Sequence, residues 1–352
     1  MFIRHFLRPH IFRRSFLSYS SDTKTMPANY VLGFDIGGTK SAVVLATMDG
    51  TLRARMQIPT RPQMRSAETV LSELTELARA LLEEENVSQH DLAGISVVCG
   101  GPLDLENGLI CSPPNLPGWD NVPIVAFLQE RFHLPVVLEN DANAGALAEW
   151  LFGAGKGASH LIYLTMGTGI GGGLILDGRL YHGKQGLAGE IGHQTILPDG
   201  PLCACGKQGC LEALASGPAI ARLARESLMY GRHKRVLSLA GGKPANITAE
   251  HVIAAAKEGD NFAQGLLEEV GTYLGIGIAN VLQILNPECV ILGTIAVHAG
   301  DCLLEPVRKA VAERCWAKIA AGCRILPAGL GTQVQDYAAI APLIYRLLHQ
   351  ES

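Results

Sequence analysis

The strongest constraint on how this chain can fold is a unit that occurs twice. In the first copy an apolar strand, YVLGFDI (30–36), runs into GGTK. SAVVLATM follows as a second strand, and Asp49-Gly50 turns the chain into a third, TLRARMQIP. In the second copy LIYLTM (161–166) runs into GTGIGGG, GLIL is the next strand, Asp177-Gly178 makes the hairpin and RLYHG returns. The glycine turns lie 130 positions apart and the Asp-Gly pairs 128 apart. Asp-Gly between apolar runs is a strong hairpin signal, because a tight hairpin turn needs positive φ at its centre. Recurrence of the whole unit predicts two related halves with a cleft between them.

The remaining segments fit the same plan. AETVLSELTELARALLEEEN has apolar residues at helical spacing, and ISVVCGGPLD reads as a strand entering a Gly-Gly-Pro turn. VPIVAFLQERF is a helix, PVVLEND a strand and ANAGALAEWLFG a helix. After the second unit come three helices, SGPAIARLARESLMYG, TAEHVIAAAKEG and FAQGLLEEVGTYLGIGIANVLQILN. ECVILGT is a strand, and CLLEPVRKAVAERCWA and DYAAIAPLIYRLLHQ close the chain as helices. Strands alternating with helices, plus duplicated hairpins, predict an α/β fold with mixed sheets covered by helices.

Bulk properties narrow the function classes. A net charge of −4 offers no attraction to nucleic acid or to an anionic membrane, so neither is an expected partner. No apolar run reaches the ~18 residues of a membrane span. Nine cysteines is an odd number, and 352 residues can build a core without covalent staples, which argues against a secreted disulfide framework. The opening MFIRHFLRPHIFRRSFLSYSS carries four arginines, four serines and no acid before Asp22, which resembles a mitochondrial presequence. The plainer reading is an upstream extension with Met26 as the working start and a cytoplasmic protein. Either way residues 1–26 stand outside the fold argument.

Four stretches carry chemistry. GFDIGGTK does not have the spacing of the common phosphate loop. Asp35 nonetheless ends a buried strand, where a carboxylate is costly unless it faces a cation or a polar cleft. Gly37 and Gly38 let backbone N–H groups approach an anion, and Thr39 and Lys40 add donors; a plain turn with a solvated lysine is the alternative. MGTGIGGG contains G-x-G-x-x-G at 167, 169 and 172. It opens a strand where the dinucleotide fingerprint must open a helix, so that fingerprint is excluded. Its turn, Gly167-Thr168-Gly169, can still cradle phosphate, and two such turns in two halves would grip one polyphosphate from both sides. In VLENDANA, Asp141 falls at the C-terminal end of a strand, the usual place for ligand chemistry in α/β sheets. A carboxylate there can accept the proton of a hydroxyl attacking a phosphoryl group; alternatively Asp141 or Asn143 only caps the next helix.

The fourth stretch is GHQTILPDGPLCACGKQGCLE, residues 192–212, with Cys203, Cys205 and Cys210 within eight residues and His193 ten before the first. Cys-x-Cys is too short for a C-x-x-C redox motif. Three thiolates and an imidazole form a tetrahedral set suited to Zn²⁺, with no open position, so the metal would be structural. The alternative is a group of free thiols. The second ring nitrogen of His193 needs a partner, and a substrate hydroxyl would serve, with Glu190 and Glu212 aimed into the same pocket. The two glutamates could instead merely support the metal ligands or sit on the surface.

GFDIGGTK, NLPGWDNVP, ENDANA, LTMGTGIGGG, GEIGH and CACGKQGCLE, in this order over about residues 30–348, resemble the ROK family (repressors, open reading frames and sugar kinases). The resemblance implies a duplicated, actin-like (ribonuclease H-like) two-domain fold with a hinge. Residues 27–142 with 335–352 would form the small domain, and 143–334 the large one with the ATP and zinc motifs. It implies that Asp141 is the catalytic base and that Asn140, Glu190, His193, Glu212 and the backbone near Gly100-Gly101 hold the sugar. His193, Cys203, Cys205 and Cys210 would hold zinc. Asp35, the turns at 37–40 and 167–169, and Gly293 would serve Mg-ATP. The implied reaction is ATP-dependent phosphorylation of a hexose primary hydroxyl, with glucose the first expected sugar and N-acetylmannosamine or another hexose the second. The implied assembly is a homodimer or homotetramer. The family also holds sugar-responsive regulators with an N-terminal winged-helix domain, but only 34 residues precede Asp35 and they show no helix-turn-helix pattern. A sugar-binding protein without turnover is disfavoured by the intact phosphate motifs. One departure stands out: Leu292-Gly293-Thr294-Ile295 replaces the Gly-Gly-Gly run of many members, which brings side chains to the adenosine region and leaves the donor open.

Overall fold

A computed structural model of the chain describes residues 29–228 and 234–349; the presequence-like stretch lies outside them. The first half supplies β1 (Tyr30–Ile36), β2 (Lys40–Thr47), β3 (Leu52–Pro59), α1 (Ala67–Glu84), β4 (Leu92–Cys99) and a small ribbon, β5 (Leu103–Asp104) with β6 (Leu109–Ile110). Then come α2 (Ile124–Phe132), β7 (Val136–Asn140) and α3 (Asp141–Leu151). The second half opens with β8 (Leu161–Met166), β9 (Ile170–Leu176) and β10 (Arg179–Leu180). Helices α4 (Leu211–Ala215), α5 (Gly217–Ser227), α6 (Lys234–Leu239), α7 (Ala249–Lys257) and α8 (Asn261–Leu285) follow. The chain ends with β11 (Cys289–Leu292), α9 (Thr294–Ala299), α10 (Asp301–Arg314), α11 (Ala317–Gly322), β12 (Arg324–Pro327) and α12 (Val334–His349).

The duplication read from the hairpins extends to whole sheets. One sheet has the order β3-β2-β1-β4-β7 and the other β10-β9-β8-β11-β12. In each, the first three strands are antiparallel and the last two join in parallel. The expected duplicated actin-like core is therefore present. Asp49-Gly50 and Asp177-Gly178 do turn the hairpins, with Asp177 and both glycines at positive φ.

Three details differ from the sequence reading. The second return strand is only Arg179–Leu180, because Tyr181 onward leaves the sheet. The second glycine turn is shorter than GTGIGGG: β9 begins at Ile170, and Gly171 to Gly173 are strand residues, Gly171 and Gly173 pressed against α3 and Gly172 against Gly189 and Ile191. The N-cap of α3 is Asn140, whose side chain accepts from Ala142 N–H, so neither Asp141 nor Asn143 caps the helix. Helices α4, α6, α9 and α11 and strand β12 are too short for periodicity to reveal.

The two sheets are joined by exchanging helices. α3 follows the first sheet but packs on β8 and β9 of the second; α12 follows the second sheet but packs on β1 and β4 of the first; and the two helices pack on each other. Two glycines make the approach possible. A Cβ on Gly33 in β1 would lie 2.6 Å from Ala339 O of α12, and one on Gly173 in β9 would lie 2.6 Å from Ala146 Cβ of α3. Glu149, fully buried on α3, binds this joint, accepting from Ala154 N–H at 2.8 Å and from Gly329 and Leu330 N–H at 3.0 Å each. Backbone donors from the segment that follows α3 and from the segment that precedes α12 thus satisfy one buried carboxylate. Among the described residues no helix is long and apolar enough to cross a membrane.

Candidate active site

The cleft chemistry starts at the β7–α3 junction. β4 and β7 run in parallel with Cys99 opposite Asn140, so Gly100 and Gly101 emerge beside Asn140 and Asp141. A Cβ on Gly100 would lie 3.7 Å from Asp141 Oδ2 and 3.6 Å from Asn115 Nδ2, and one on Gly101 would lie 3.4 Å from Asn140 Nδ2. Ala142 N–H donates to Asp141 Oδ1 at 2.8 Å, which anchors one oxygen and leaves the other toward the Gly100 loop. Solvent reaches Asp141 through the cleft mouth, but protein surrounds it at depth. That crowding pushes its carboxyl above the usual range, against the pull of the Ala142 N–H.

Asp35, at the end of β1 on the other side of β4, feels the same environment. Burial first, and then the Asp141 charge, push it up to about 7, while Arg55 and Lys40 pull the other way. Arg55 is itself engaged with Asp336 of α12, Nε to Oδ1 at 2.6 Å. The turn beyond Asp35 is tied down by Gly37 N–H to Lys40 O at 3.2 Å and by the Thr60 hydroxyl to Gly37 O at 2.6 Å. Its Gly38 packs on the backbone of Asn115. Asn115 therefore sits between the first glycine turn and the Gly100 loop. It belongs to NLPGWDNVP, yet its place was not legible from residue type.

The opposite wall is built around the start of β9. Gly167 N–H donates to Gly169 O at 3.0 Å, and Gly217 N–H at the start of α5 donates to Gly167 O at 2.8 Å. Glu212 Oε2 accepts from Ile170 N–H at 2.9 Å and fills the space a Cβ on Gly169 would need. Gly192 packs on the Ile170 carbonyl, and Gly171 packs on Ala142. The Asp141 junction, the Glu190–His193 segment and Glu212 thus meet at Ile170-Gly171.

The cysteines converge as expected. One donor atom from each of His193, Cys203, Cys205 and Cys210 lies within 4.8 Å of the others. His193 Nδ1 is 3.7 Å from Cys203 Sγ, and Cys205 and Cys210 sulfurs are 3.7 Å apart. All nine cysteines are free thiols. The other ring nitrogen, His193 Nε2, faces Glu190 Oε2 at 3.8 Å. Burial pushes the Cys203 thiol up to about 12, while Lys207 N–H holds Cys205 below its usual value. Three sulfurs and an imidazole nitrogen at this spacing fit a tetrahedral divalent ion of zinc type. Cys210 is also the N-cap residue of α4, and Cys203 Sγ lies 3.8 Å from Glu212 Oε1, so the cluster bears directly on Glu212.

Beyond the second glycine turn lies a cavity of about 840 Å³. Gly167 and Thr168 form its inner edge, and Arg225, Lys257, Thr294 and His298 line its walls. The departure noted at 292–295 is felt here: Thr294 and Ile295 both line the cavity. Gly293 does not. It precedes α9, with Tyr163 Oη and Leu164 O close to where a Cβ would stand. The Asp35 turn does not line this cavity either. Arg225 and Lys257 were not legible in the sequence because each sits on an ordinary amphipathic helix, and His298 because α9 is only six residues long.

A duplicated actin-like core whose two halves present glycine turns and carboxylates to one cleft defines the class. The ROK family pattern matches residues 31–338, and the chain belongs to the ROK family. It is 36% identical to a glucokinase of Halalkalibacterium halodurans over 87% of this chain and 92% of that protein. It superposes on a ROK family glucokinase of Streptomyces griseus, solved with glucose and AMPPNP, with a TM-score of 0.76 and 32% identity over 88% of this chain and 98% of that one. It is also 35% identical to a xylose repressor of Caldicellulosiruptor bescii over 81% of this chain and 70% of that protein.

Proposed function

We infer that this protein is an ATP-dependent hexose kinase that converts glucose to glucose 6-phosphate, a glucokinase. The observation that carries the reading is Asp141: a carboxylate with one oxygen anchored, at a strand end, between Gly100, Asn115 and Asn140 on one side and the start of β9 on the other. Its raised proton affinity moves it toward the value a general base needs near neutral pH. In this reading Asn140, Glu190, His193, Glu212 and the Gly101 backbone hold sugar hydroxyls, and Asp141 takes the proton of the attacking one. Phosphoryl transfer then depends on positioning and charge stabilisation. Gly37, Gly38, Thr39 and Lys40 approach the polyphosphate from the first half, and Gly167, Thr168 and Gly169 from the second. The 840 Å³ cavity takes the nucleoside, with Thr294 and Ile295 against it. Asp35, holding its proton to about pH 7, is suited to a divalent ion such as Mg²⁺, whose charge would favour the carboxylate. His193, Cys203, Cys205 and Cys210 would hold zinc, which supplies rigidity beside Glu212 and takes no part in the chemistry.

The exchange of α3 and α12 supports the division into 27–142 with 335–352 and 143–334, with the hinge at these helices. Closure of such lobes would exclude water from the transfer. Free thiols throughout and ATP as donor fit a reducing, cytoplasmic compartment.

Asp141→Asn tests the assignment. Glucose-dependent ADP release should fall by at least ~10³-fold while glucose still binds by calorimetry. Turnover within tenfold of the parent protein would overturn Asp141 as the base. Comparing kcat/KM for glucose, N-acetylmannosamine and mannose tests the sugar, and a higher value for N-acetylmannosamine would replace glucose by it.

A further inference from the structure

Glu139 and His182 belong to neither glycine turn nor to the metal cluster, yet they form a close polar contact between the site's two walls. Glu139 is the residue before Asn140 on β7 and is only 5% exposed. Its Oε1 accepts from Asn140 N–H and from Asn143 Nδ2, both at 2.9 Å. Its Oε2 is 2.7 Å from His182 Nε2. One buried carboxylate thus fixes the backbone where β7 becomes α3, the same turn that carries Asn140 and Asp141.

His182 arrives from the other half. After β10 the chain leaves the sheet, with Tyr181 N–H still bonded to Leu174 O and His182 O accepting from Ala188 N–H. The loop then leads directly into Glu190 and His193. On its way Gly186 lies against Leu105 of the β5–β6 ribbon. Between loop and ribbon is a cavity of about 580 Å³ whose charged groups are Asp104, Glu106, Glu139, His182 and Lys184. Three of these five are acids, so the imidazole faces net negative charge. The Glu139 bond raises its proton affinity above the ordinary histidine value, and partial burial opposes that.

We propose that His182 is a positioning residue: its bond to Glu139 ties the loop carrying Glu190 and His193 to the strand end carrying Asn140 and Asp141, setting the two walls of the sugar site together. The inference rests on the kinase reading above. It assigns His182 no contact with sugar or nucleotide, and so predicts an effect on sugar binding out of proportion to any effect on ATP.

The experiment is steady-state kinetics on the full chain from about pH 6 to 9, varying glucose and ATP separately. In His182→Ala, KM for glucose should rise about tenfold, with KM for ATP unchanged and kcat within about threefold, as for loss of a charge-assisted hydrogen bond. In the parent protein, KM for glucose should rise as pH climbs through the imidazole's raised pKa, because the bond loses its charge there. His182→Arg keeps a permanent cation within reach of Glu139. It should restore KM for glucose to within about twofold and remove that rise. If His182→Ala does not fold, His182→Gln carries the test, with an intermediate KM for glucose that does not vary with pH. Unchanged KM for glucose in a folded variant without the imidazole overturns the proposal, as does equal loss in the Ala and Arg variants or a matching rise in KM for ATP. No sugar-dependent ADP release from the parent protein would remove the kinase reading, and this inference with it. Release with an indifferent His182 removes only this inference.

Discussion

Asp35 at the end of β1 and Asp141 just past the end of β7, with β4 between the two strands, share one cleft, and the burial of Asp35 together with the Asp141 charge has a stability consequence. Asp35 binds its proton more tightly in the folded chain, about 7 against 3.8 for an ordinary aspartate. Stability from this group is therefore complete below about pH 4 and is lost as pH rises toward about 7. Asp35→Asn should raise the melting temperature of the ligand-free protein, and the gain should grow from about pH 5 to pH 8. The same variant should lose most of its ATP-dependent activity, a site strained for function and relieved by substitution. A gain that is flat with pH, in melts recorded across this range, would refute the assigned ionisation.

At the scale of elements, the knuckle of residues 203–210 is held by few contacts of its own. Leu202 pairs with Gln208 and Thr195 with Cys210 in single bridges, and Cys203 N–H donates to Lys207 O at 2.8 Å. So short a segment has little apolar surface to bury, and a bound ion would supply what packing does not. Cys205→Ser should reduce zinc from one per chain toward none by metal analysis and raise KM for glucose several-fold, because Glu212 and His193 lose their support. A variant that keeps its zinc and its KM would show that Cys205 is not a ligand. Glu212 is also committed more than its residue type suggested: one oxygen takes the Ile170 N–H, and the other faces Cys203.

For the whole molecule the decisive feature is the exchange of α3 and α12, with Glu149 buried between their ends. Glu149→Ala would leave three backbone donors without their acceptor. It should cost about 3 kcal/mol or more in urea denaturation. A cost below about 1 kcal/mol would mean that water replaces the carboxylate, and that the joint is looser than its packing implies.

Features that depend on near neighbours were legible in the chain. Apolar runs and Asp-Gly turns marked both hairpins, helical spacing marked the long helices, and four metal-type donors within eighteen positions marked the knuckle. Asp141 was legible because strand ends in such sheets face the ligand. Features that depend on residues far apart in the chain emerged only on folding. Folding set which helix covers which sheet, placed Asn115 between two glycine loops, and brought His182 to Glu139 across 43 positions. It also turned three ordinary helical side chains, Arg225, Lys257 and His298, into cavity wall. The reason is physical. Periodicity and turn chemistry are fixed by local sterics and hydrogen bonds, whereas the proton affinity of Asp35 and the partners of Glu139 and Glu212 exist only once packing has chosen their neighbours.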